Sequence, residues 1–552
     1  MQRNETIPTR APAWAGALVG LVSGGVALGV AQLLAGFFGP ATFPVVAVGD
    51  AVVDLTPAPV KDFAIATFGE NDKAVLVGGV LVVLAGIAAL IGVVARRRLA
   101  YGLAGLDAFG VIGALAVFTR PGAVALDLLP TVAGVAAGSV ALAWLLRRAT
   151  VSRVSTSRVS TALPAPGPPA EVGEGEPAST APEPERPAVM RAGGEVAEFD
   201  RRRLLTGAAG GVVVAGATAL LGRQLSGQRA VDAARLGVRL PRPAVPAGPI
   251  PAGADLRLPG LSPFVTPNRD FYRVDTAISV PQVDPNDWTL RIHGLVGRPV
   301  ELTYADLLKL PLTEADVTLT CVSNEVGGPY VGNARWLGVR MADVLRRAGL
   351  RSDADMLLST SADGFTCGTP VDVVMDGREA LFAIAMNGET LPVEHGFPVR
   401  QVVPGLYGYV SATKWVVDIK VTRFDTDQAY WTPRGWSAKG PIKTQSRIDV
   451  PKAGDSLKAG ATTIAGVAWA QHTGVEAVEV RVDRGEWRRA RLAQVPGPDT
   501  WRQWSIDWNA TTGEHTIEVR ATDAAGRTQT ERIAPPAPDG ATGWHTITVQ
   551  VG

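Results

Sequence analysis

Residues 317–328 read VTLTCVSNEVGG, an apolar, β-branched run that ends at Cys321 and breaks at once into Asn324, Glu325, Gly327 and Gly328. The run has the composition of a strand, and the polar, Gly-containing stretch that of the turn closing it. Cys321 is one of only two cysteines in 552 residues, and three roles suit it. A buried thiol behaves as a small hydrophobe. A disulfide with Cys367 suits an oxidising compartment. A thiolate carried on a strand end into a cleft suits a soft or high-valent metal. Spacing leaves all three open, because no second Cys and no nearby His completes a protein metal site. A metal here takes most of its ligands from a cofactor.

Composition narrows the classes. With 53 Lys+Arg against 52 Asp+Glu the charge is nearly balanced, which argues against a nucleic-acid partner. Cys-x-x-Cys and Cys-x-x-Cys-His are absent from the sequence, which argues against zinc ribbons and c-type haem. All five histidines (His293, His395, His472, His515 and His545) follow residue 290. The apolar N-terminal part therefore has no ligand for b-type haem, and no haem is expected in this chain.

Four apolar segments, 14–38, 75–95, 100–118 and 124–146, each approach the ~20 residues that cross a bilayer. A fifth, 204–222, follows Arg201-Arg202-Arg203. Arg3 and Arg10, Arg96-Arg97-Arg98 and Arg147-Arg148 all fall on one side, which the positive-inside rule makes cytoplasmic. The chain is thus expected to be a multi-pass cell-membrane protein. Residues 1–148 form a four-helix transmembrane region with a cytoplasmic N-terminus. Residues 149–200, LPAPGPPAEVGEGEPASTAPEPERP among them, form a disordered, Pro/Glu-rich cytoplasmic linker. The segment FDRRRLLTGAAGG, 199–211, resembles a twin-arginine signal, so 201–224 is read as a twin-arginine-like fifth anchor. An ordinary positive-inside flank accounts for the same three arginines. Everything beyond is extracytoplasmic.

Residues 225–260 are a Pro/Ala-rich extracytoplasmic linker. From 261 to 445, alternating runs (WTLRIHG, TKWVVDIKVTRF) mix with helix-period runs (TYADLLKL, RMADVLRRAGL), which predicts an α+β domain. No Gly-x-Gly-x-x-Gly opens a βαβ unit, so a dinucleotide domain is not expected. Residues 446–552 carry short alternating strands with a hairpin turn at Asp483-Arg484-Gly485 and predict an immunoglobulin-like β-sandwich.

The order of motifs in 261–552 resembles the sulfite oxidase family: a molybdopterin-binding oxidoreductase domain at 261–445, followed by an immunoglobulin-like dimerisation domain at 446–552. FYRVD (271–275), the strand ending in Cys321, ARWLGVRMADVL (334–345), SADGFTCGTPV (361–371), MNGETLPVEHGFPVRQVVPG (386–405) and ATKWV (412–416) carry the resemblance. It implies that Cys321 is the protein's thiolate ligand to molybdenum, the remaining sulfur ligands coming from the pterin. It implies cofactor contacts at Tyr272, Arg273, Asp275, Asp363 (or its neighbour Ser361), His395, Arg400 and Lys414. Fixed cations suit the pterin's anionic phosphate. Without the motif, His395 would read as a cap of the turn before Gly396. Asn387-Gly388 reads as a turn, and Cys367 as a structural thiol.

The function implied is two-electron oxygen-atom transfer at a molybdenum–molybdopterin cofactor, sulfite oxidase-like, on a sulfur or nitrogen oxyanion. A reductase of sulfoxides or N-oxides is the alternative on the same fold, and a non-catalytic cell-surface binding protein the alternative of another class. Arg335 is the candidate to meet an anionic substrate, with a plain salt bridge as its alternative role. Glu325, where sulfite-oxidising members carry a base, is expected to repel sulfite. Trp436 aligns with the region of their active-site tyrosine. An unidentified electron-transfer partner, the membrane and a second copy joined through the C-terminal domain complete the expected partners.

Overall fold

In a computed structural model of the chain, residues 11–57, 60, 67, 72–120, 123–153, 196–225 and 228–552 are described. Most of the linker expected at 149–200, residues 154–195, lies outside them, as do Arg3 and Arg10. At its two ends, Thr150–Arg153 and Val196–Phe199 pair as antiparallel strands.

Among the described residues, five helices are long and apolar enough to cross a membrane: Ala13–Phe38, Val75–Ala95, Leu99–Phe118, Ala125–Ala149 and Arg201–Leu225. They match the five expected segments and support a multi-pass membrane topology. The chain divides into two compact units, the first made of Met1–Leu33, Gly79–Ile112 and Leu129–Leu220. In it Val19, Val22, Leu106, Leu142, Leu145 and Leu204 share one buried cluster. Small residues let the backbones approach: a Cβ on Gly20 would lie 1.9 Å from the Ala88 carbonyl oxygen, and one on Gly92 would lie 2.1 Å from that of Gly16. Such contacts replace the hydrophobic drive that lipid removes.

The second unit comprises Leu34–Gly78, Gly113–Leu128 and Leu221–Gly552. Its α/β part is built on two sheets. In the first, the strands run in the order Glu389–Thr390, Leu381–Met386, Val331–Arg340 and Leu312–Thr320, with Arg400–Val402 also paired to Leu381–Met386. In the second, the order is Val300–Thr303, Thr289–Gly294, Val416–Thr422, Met356–Ser361 and Thr366–Pro370, with one parallel pair, Val416–Thr422 on Thr289–Gly294. Leu290, Ile292, Val416 and Ile419 of one sheet share a core with Val339, Phe382 and Ile384 of the other. The helix Met341–Ala348 adds Val344 and Leu345 to that core and ends at Gly349, whose φ of 69° only glycine adopts without strain. The short helix Tyr304–Leu308 starts on a capping box in which Thr303 and Asp306 satisfy each other's backbone N–H.

Residues 445–552 form two further sheets, Gln445–Val450, Gly460–Trp469, Arg502–Ala510 and Arg491–Leu492 in one, and Ser456–Leu457, His545–Val551, Gly513–Asp523, Val475–Val482 and Arg488–Arg489 in the other. Inward residues of both, including Ile464, Trp504, Val478, Val519 and Val549, share a core. Asp483 and Arg484 take φ of 53° and 58° at the expected turn, the left-handed pair a tight hairpin needs.

Candidate functional site

Cys321 follows directly on the strand Leu312–Thr320, an outer strand of its sheet. Its N–H donates to the Tyr330 carbonyl at 3.0 Å, and its carbonyl accepts from the Asn324 N–H at 3.1 Å. Asn324 Oδ1 in turn accepts from the Tyr330 N–H at 2.8 Å. The loop 321–330 is thereby closed at its base before Val331 starts the next strand.

Residues from the C-terminal sheets brace this hairpin. Gln471 Nε2 donates to the Thr318 carbonyl at 3.1 Å and to Thr320 Oγ1 at 2.9 Å. The Trp501 N–H donates to Thr318 Oγ1 at 2.7 Å, and Arg447 donates to the Gly328 carbonyl at 2.9 Å. The position of Cys321 thus depends on both halves of residues 261–552.

The Cys321 side chain lines a cavity of about 990 Å³. Tyr272, Arg273, Asp275, Asp363, His395, Arg400 and Lys414 line the same cavity, so all eight residues expected to contact a cofactor come together. They arrive from separate elements: Tyr272–Asp275 from the segment before the sheets, Asp363 from the turn between two strands, His395 from a 3-10 turn, Arg400 from a strand start, and Lys414 from the approach to Val416–Thr422.

Arg400 is 5% exposed. Its guanidinium donates to the carbonyls of His395 at 3.1 Å and Gln401 at 3.4 Å and lies 5.1 Å over the Trp336 ring. Among the described residues no carboxylate pairs with it, and burial pulls its pKa down to about 10. A buried cation balanced only by carbonyls and a π-face is under-compensated. Lys414 is different: its ammonium sits 2.5 Å from Asp275 Oδ2, which also faces Arg273 at 3.6 Å.

Burial, with Arg400 and Lys414 adding to it, pushes the His395 pKa down to about 4. The ring is therefore neutral at pH 7, and its Nε2–H donates to the Asn268 carbonyl at 3.1 Å. Burial raises the Tyr272 phenol and the Cys321 thiol above their ordinary ranges, hydrogen bonds from Ser323 and Val322 partly opposing it at the thiol.

Arg335 is not among the cavity-lining residues. Its guanidinium makes a bidentate pair with Asp316 at 2.9 and 2.7 Å, lies 3.8 Å from Glu314 and donates to the Gly248 carbonyl at 2.8 Å. Glu325 is exposed and also lies outside the lining. The expected repulsion of sulfite by this acid in a dry pocket therefore has no geometric basis, because solvent screens a carboxylate on the loop's outer side. Cys321 and Cys367 are both free and buried, which removes the disulfide alternative. Burial pushes Cys367 to about 11.

Several lining residues were not read from the sequence: Tyr330, Phe365, Tyr409 and Trp431, which with Trp436 give an aromatic wall, Val53, Thr56 and Val60 from between the first two long helices, and Leu76 from the start of the second. Trp436 lies at a centroid distance of 6.0 Å from both Tyr409, in a tilted arrangement, and Trp431, edge to face. The cluster YWTPRGW, 430–436, was a visible signal for this wall.

The donor set fits a metal carried by an anionic organic cofactor. Among the described residues no group of three or more His, Cys, Asp or Glu is placed to hold an ion. Cys321 instead shares its cavity with the unbalanced Arg400 and with Lys414.

Residues 277–431 match the family model described as "oxidoreductase molybdopterin binding domain". An oxidoreductase of Bacillus subtilis, YuiH, is 34% identical over 157 residues, 28% of this chain and 76% of that protein. The chain thus belongs to the molybdopterin-binding oxidoreductases, and it is related to sulfite oxidases. The mitochondrial sulfite oxidase of Mus musculus is 31% identical over 321 residues, 49% of this chain and 58% of that protein. This chain therefore spans less than two thirds of the length of that relative. The solved structure of the sulfane dehydrogenase SoxCD from Paracoccus pantotrophus is 24% identical, with a TM-score of 0.46 over 52% of this chain and 84% of that chain.

Proposed function

We propose that this chain is a membrane-anchored oxidoreductase that uses a molybdenum–molybdopterin cofactor for two-electron oxygen-atom transfer, in the manner of the sulfite oxidases it resembles. One observation carries the reading: the Cys321 thiol and the buried, carboxylate-free Arg400 line the same cavity. A thiolate and an uncompensated cation are what a metal on an anionic carrier needs from its protein.

When bound, the cofactor supplies the two-electron couple and the place where an oxygen atom is gained or lost. The chain's own residues bind and orient. Cys321 would hold the metal; burial raises its thiol, so ligation would require loss of that proton. Arg400 meets anionic charge on the carrier. Lys414 and Arg273, tied by Asp275, give a second cationic point. Tyr272, Asp363 and neutral His395 add polar contacts without adding positive charge. Arg335 we read as a structural ion pair rather than a substrate ligand, given its partners Asp316 and Glu314.

The substrate is a sulfur or nitrogen oxyanion, a sulfoxide or an N-oxide. The uncharged aromatic wall of Tyr409, Trp431 and Trp436 favours the second reading, reduction of a neutral sulfoxide or N-oxide. The positive-inside pattern supports a catalytic half outside the cytoplasm, a cytoplasmic N-terminus and linker, and export through the twin-arginine-like segment at 201–224. The shared core of the last two sheets supports the immunoglobulin-like reading of 446–552 and, with the family resemblance, a homodimer through it. A separate electron-transfer protein completes the cycle.

Mass spectrometry of metals in purified full-length protein tests the reading. About one molybdenum per chain is expected, and Cys321→Ser should abolish turnover while the fold is kept. Cofactor-competent expression that yields no molybdenum would overturn it.

A further inference from the structure

The helix Pro44–Leu55 and the start of the next long helix bring Val53, Thr56 and Leu76 into the lining of the cavity that holds Cys321. Two observations fix this helix against the catalytic part of the same unit. Asp50 Oδ1 accepts the Ile278 N–H at 3.4 Å, and a Cβ on Gly49 would lie 2.8 Å from Ile278 Cδ1. From behind, Ala47 packs with Ala116 and Val117. With five crossings, the stretch between the first two spans, the stretch between the third and fourth, and everything after the fifth lie on one side of the membrane whatever its orientation. Segments Leu34–Gly78 and Gly113–Leu128 do cluster with Leu221–Gly552.

The lining carries two kinds of chemistry. Cys321, His395, Arg400 and Lys414 are each less than a tenth exposed and supply thiol, imidazole and cations. Val53, Leu76 and Ile278 offer only hydrocarbon, and the Thr56 hydroxyl is committed to the Val52 carbonyl at 2.6 Å. Nothing among these four side chains can hydrogen-bond an oxyanion. They suit an apolar group attached to whatever reacts near Cys321.

We propose that Val53, Thr56, Leu76 and Ile278 form a subsite for the apolar substituent of the substrate, so that the membrane region supplies one wall of the catalytic site. The inference rests on the oxidoreductase reading above and names the substrate class: a neutral organic sulfoxide or N-oxide bearing an alkyl or aryl chain. For a sulfoxide the S–O bond breaks, and the oxygen leaves as water with two protons. The two electrons come from two molecules of a one-electron donor such as reduced viologen, each oxidised once per turnover. A substituent of this kind partitions into the bilayer interface, which the wall adjoins in sequence through the helices on either side of it.

The test uses full-length protein in detergent and in lipid nanodiscs, with reduced viologen and a series of methyl alkyl sulfoxides from methyl to octyl. Burial of each added methylene is worth about 0.8 kcal/mol, so kcat/KM should rise about fourfold per methylene until the subsite is full. Val53→Ser and Leu76→Ser should each cut the octyl-to-methyl ratio at least fivefold with molybdenum content unchanged. A ratio near one in molybdenum-loaded wild-type protein would overturn the subsite and leave the oxidoreductase reading standing. Protein without molybdenum overturns that reading, and the subsite with it. A steep series that neither variant flattens would also overturn the assignment, because the apolar site would then lie elsewhere.

Discussion

Gly327 and His545 touch: a Cβ on Gly327 would lie 2.2 Å from the imidazole Cδ2, at a φ of +79°. The loop that follows Cys321 is thus seated on a side chain from the last strand of the chain. That imidazole is itself fixed, its Nδ1 accepting the Ile448 N–H at 2.9 Å.

Gly327→Ala should therefore destabilise the protein by about 2–3 kcal/mol, the sum of a left-handed backbone strain and a steric clash. The double variant with His545→Ala should recover the steric part alone. Thermal unfolding of the four proteins in the cycle measures both terms, and additive losses would mean that the contact is not made.

Arg400 offers a test in which two stabilities move in opposite directions. In cofactor-free protein, Arg400→Gln removes a buried cation that no carboxylate among the described residues balances, so the apo unfolding temperature should rise. Cofactor affinity should fall 10- to 100-fold, the range for losing a hydrogen bond from a charged donor. Molybdenum occupancy at limiting cofactor, beside apo calorimetry, checks the pair of signs.

The neutral His395 predicts a pH dependence. Its folded pKa, about 4, lies below its ordinary 6.5, so the unfolded chain binds more protons between these values. Apo stability should fall as pH drops through 6.5 and keep falling to about 4, by on the order of 3 kcal/mol from this group. His395→Gln should flatten that limb of a denaturation series. His545, lowered to about 4 by burial with Arg447 contributing, acts in the same direction, so some slope should remain in the variant.

Arg335→Met separates structure from catalysis. It leaves Asp316, 5% exposed, without its bidentate partner, a loss of about 3 kcal/mol for a broken buried pair. The melting temperature should fall, while KM for any substrate stays within twofold. A large rise in KM for an anionic substrate alone would restore Arg335 to the binding machinery.

How far the sequence could be read depended on how local each signal was. The five membrane helices were legible because hydropathy and length act within one segment. The strands around Trp288 and Lys414 were legible from alternation, and the eight cavity residues from the short motifs that carry the family resemblance. The surroundings of Arg335 and Glu325 were not legible, because a motif fixes position along a strand or loop but not the direction of the side chain. Asp316, which stands opposite Arg335 in the antiparallel register, decides that direction, and pairing across a sheet is not written in either strand. Val53, Thr56 and Leu76 were invisible for a related reason: nothing local in an apolar helix or its cap says which distant surface it will meet.

The walls and braces around Cys321 run from Val53 through Trp436 to Gln471 and His545. Such long-range closures are entropically expensive and late. The hollow therefore forms only once segments far apart in the sequence have met, and its closure reports tertiary assembly rather than the presence of any one element.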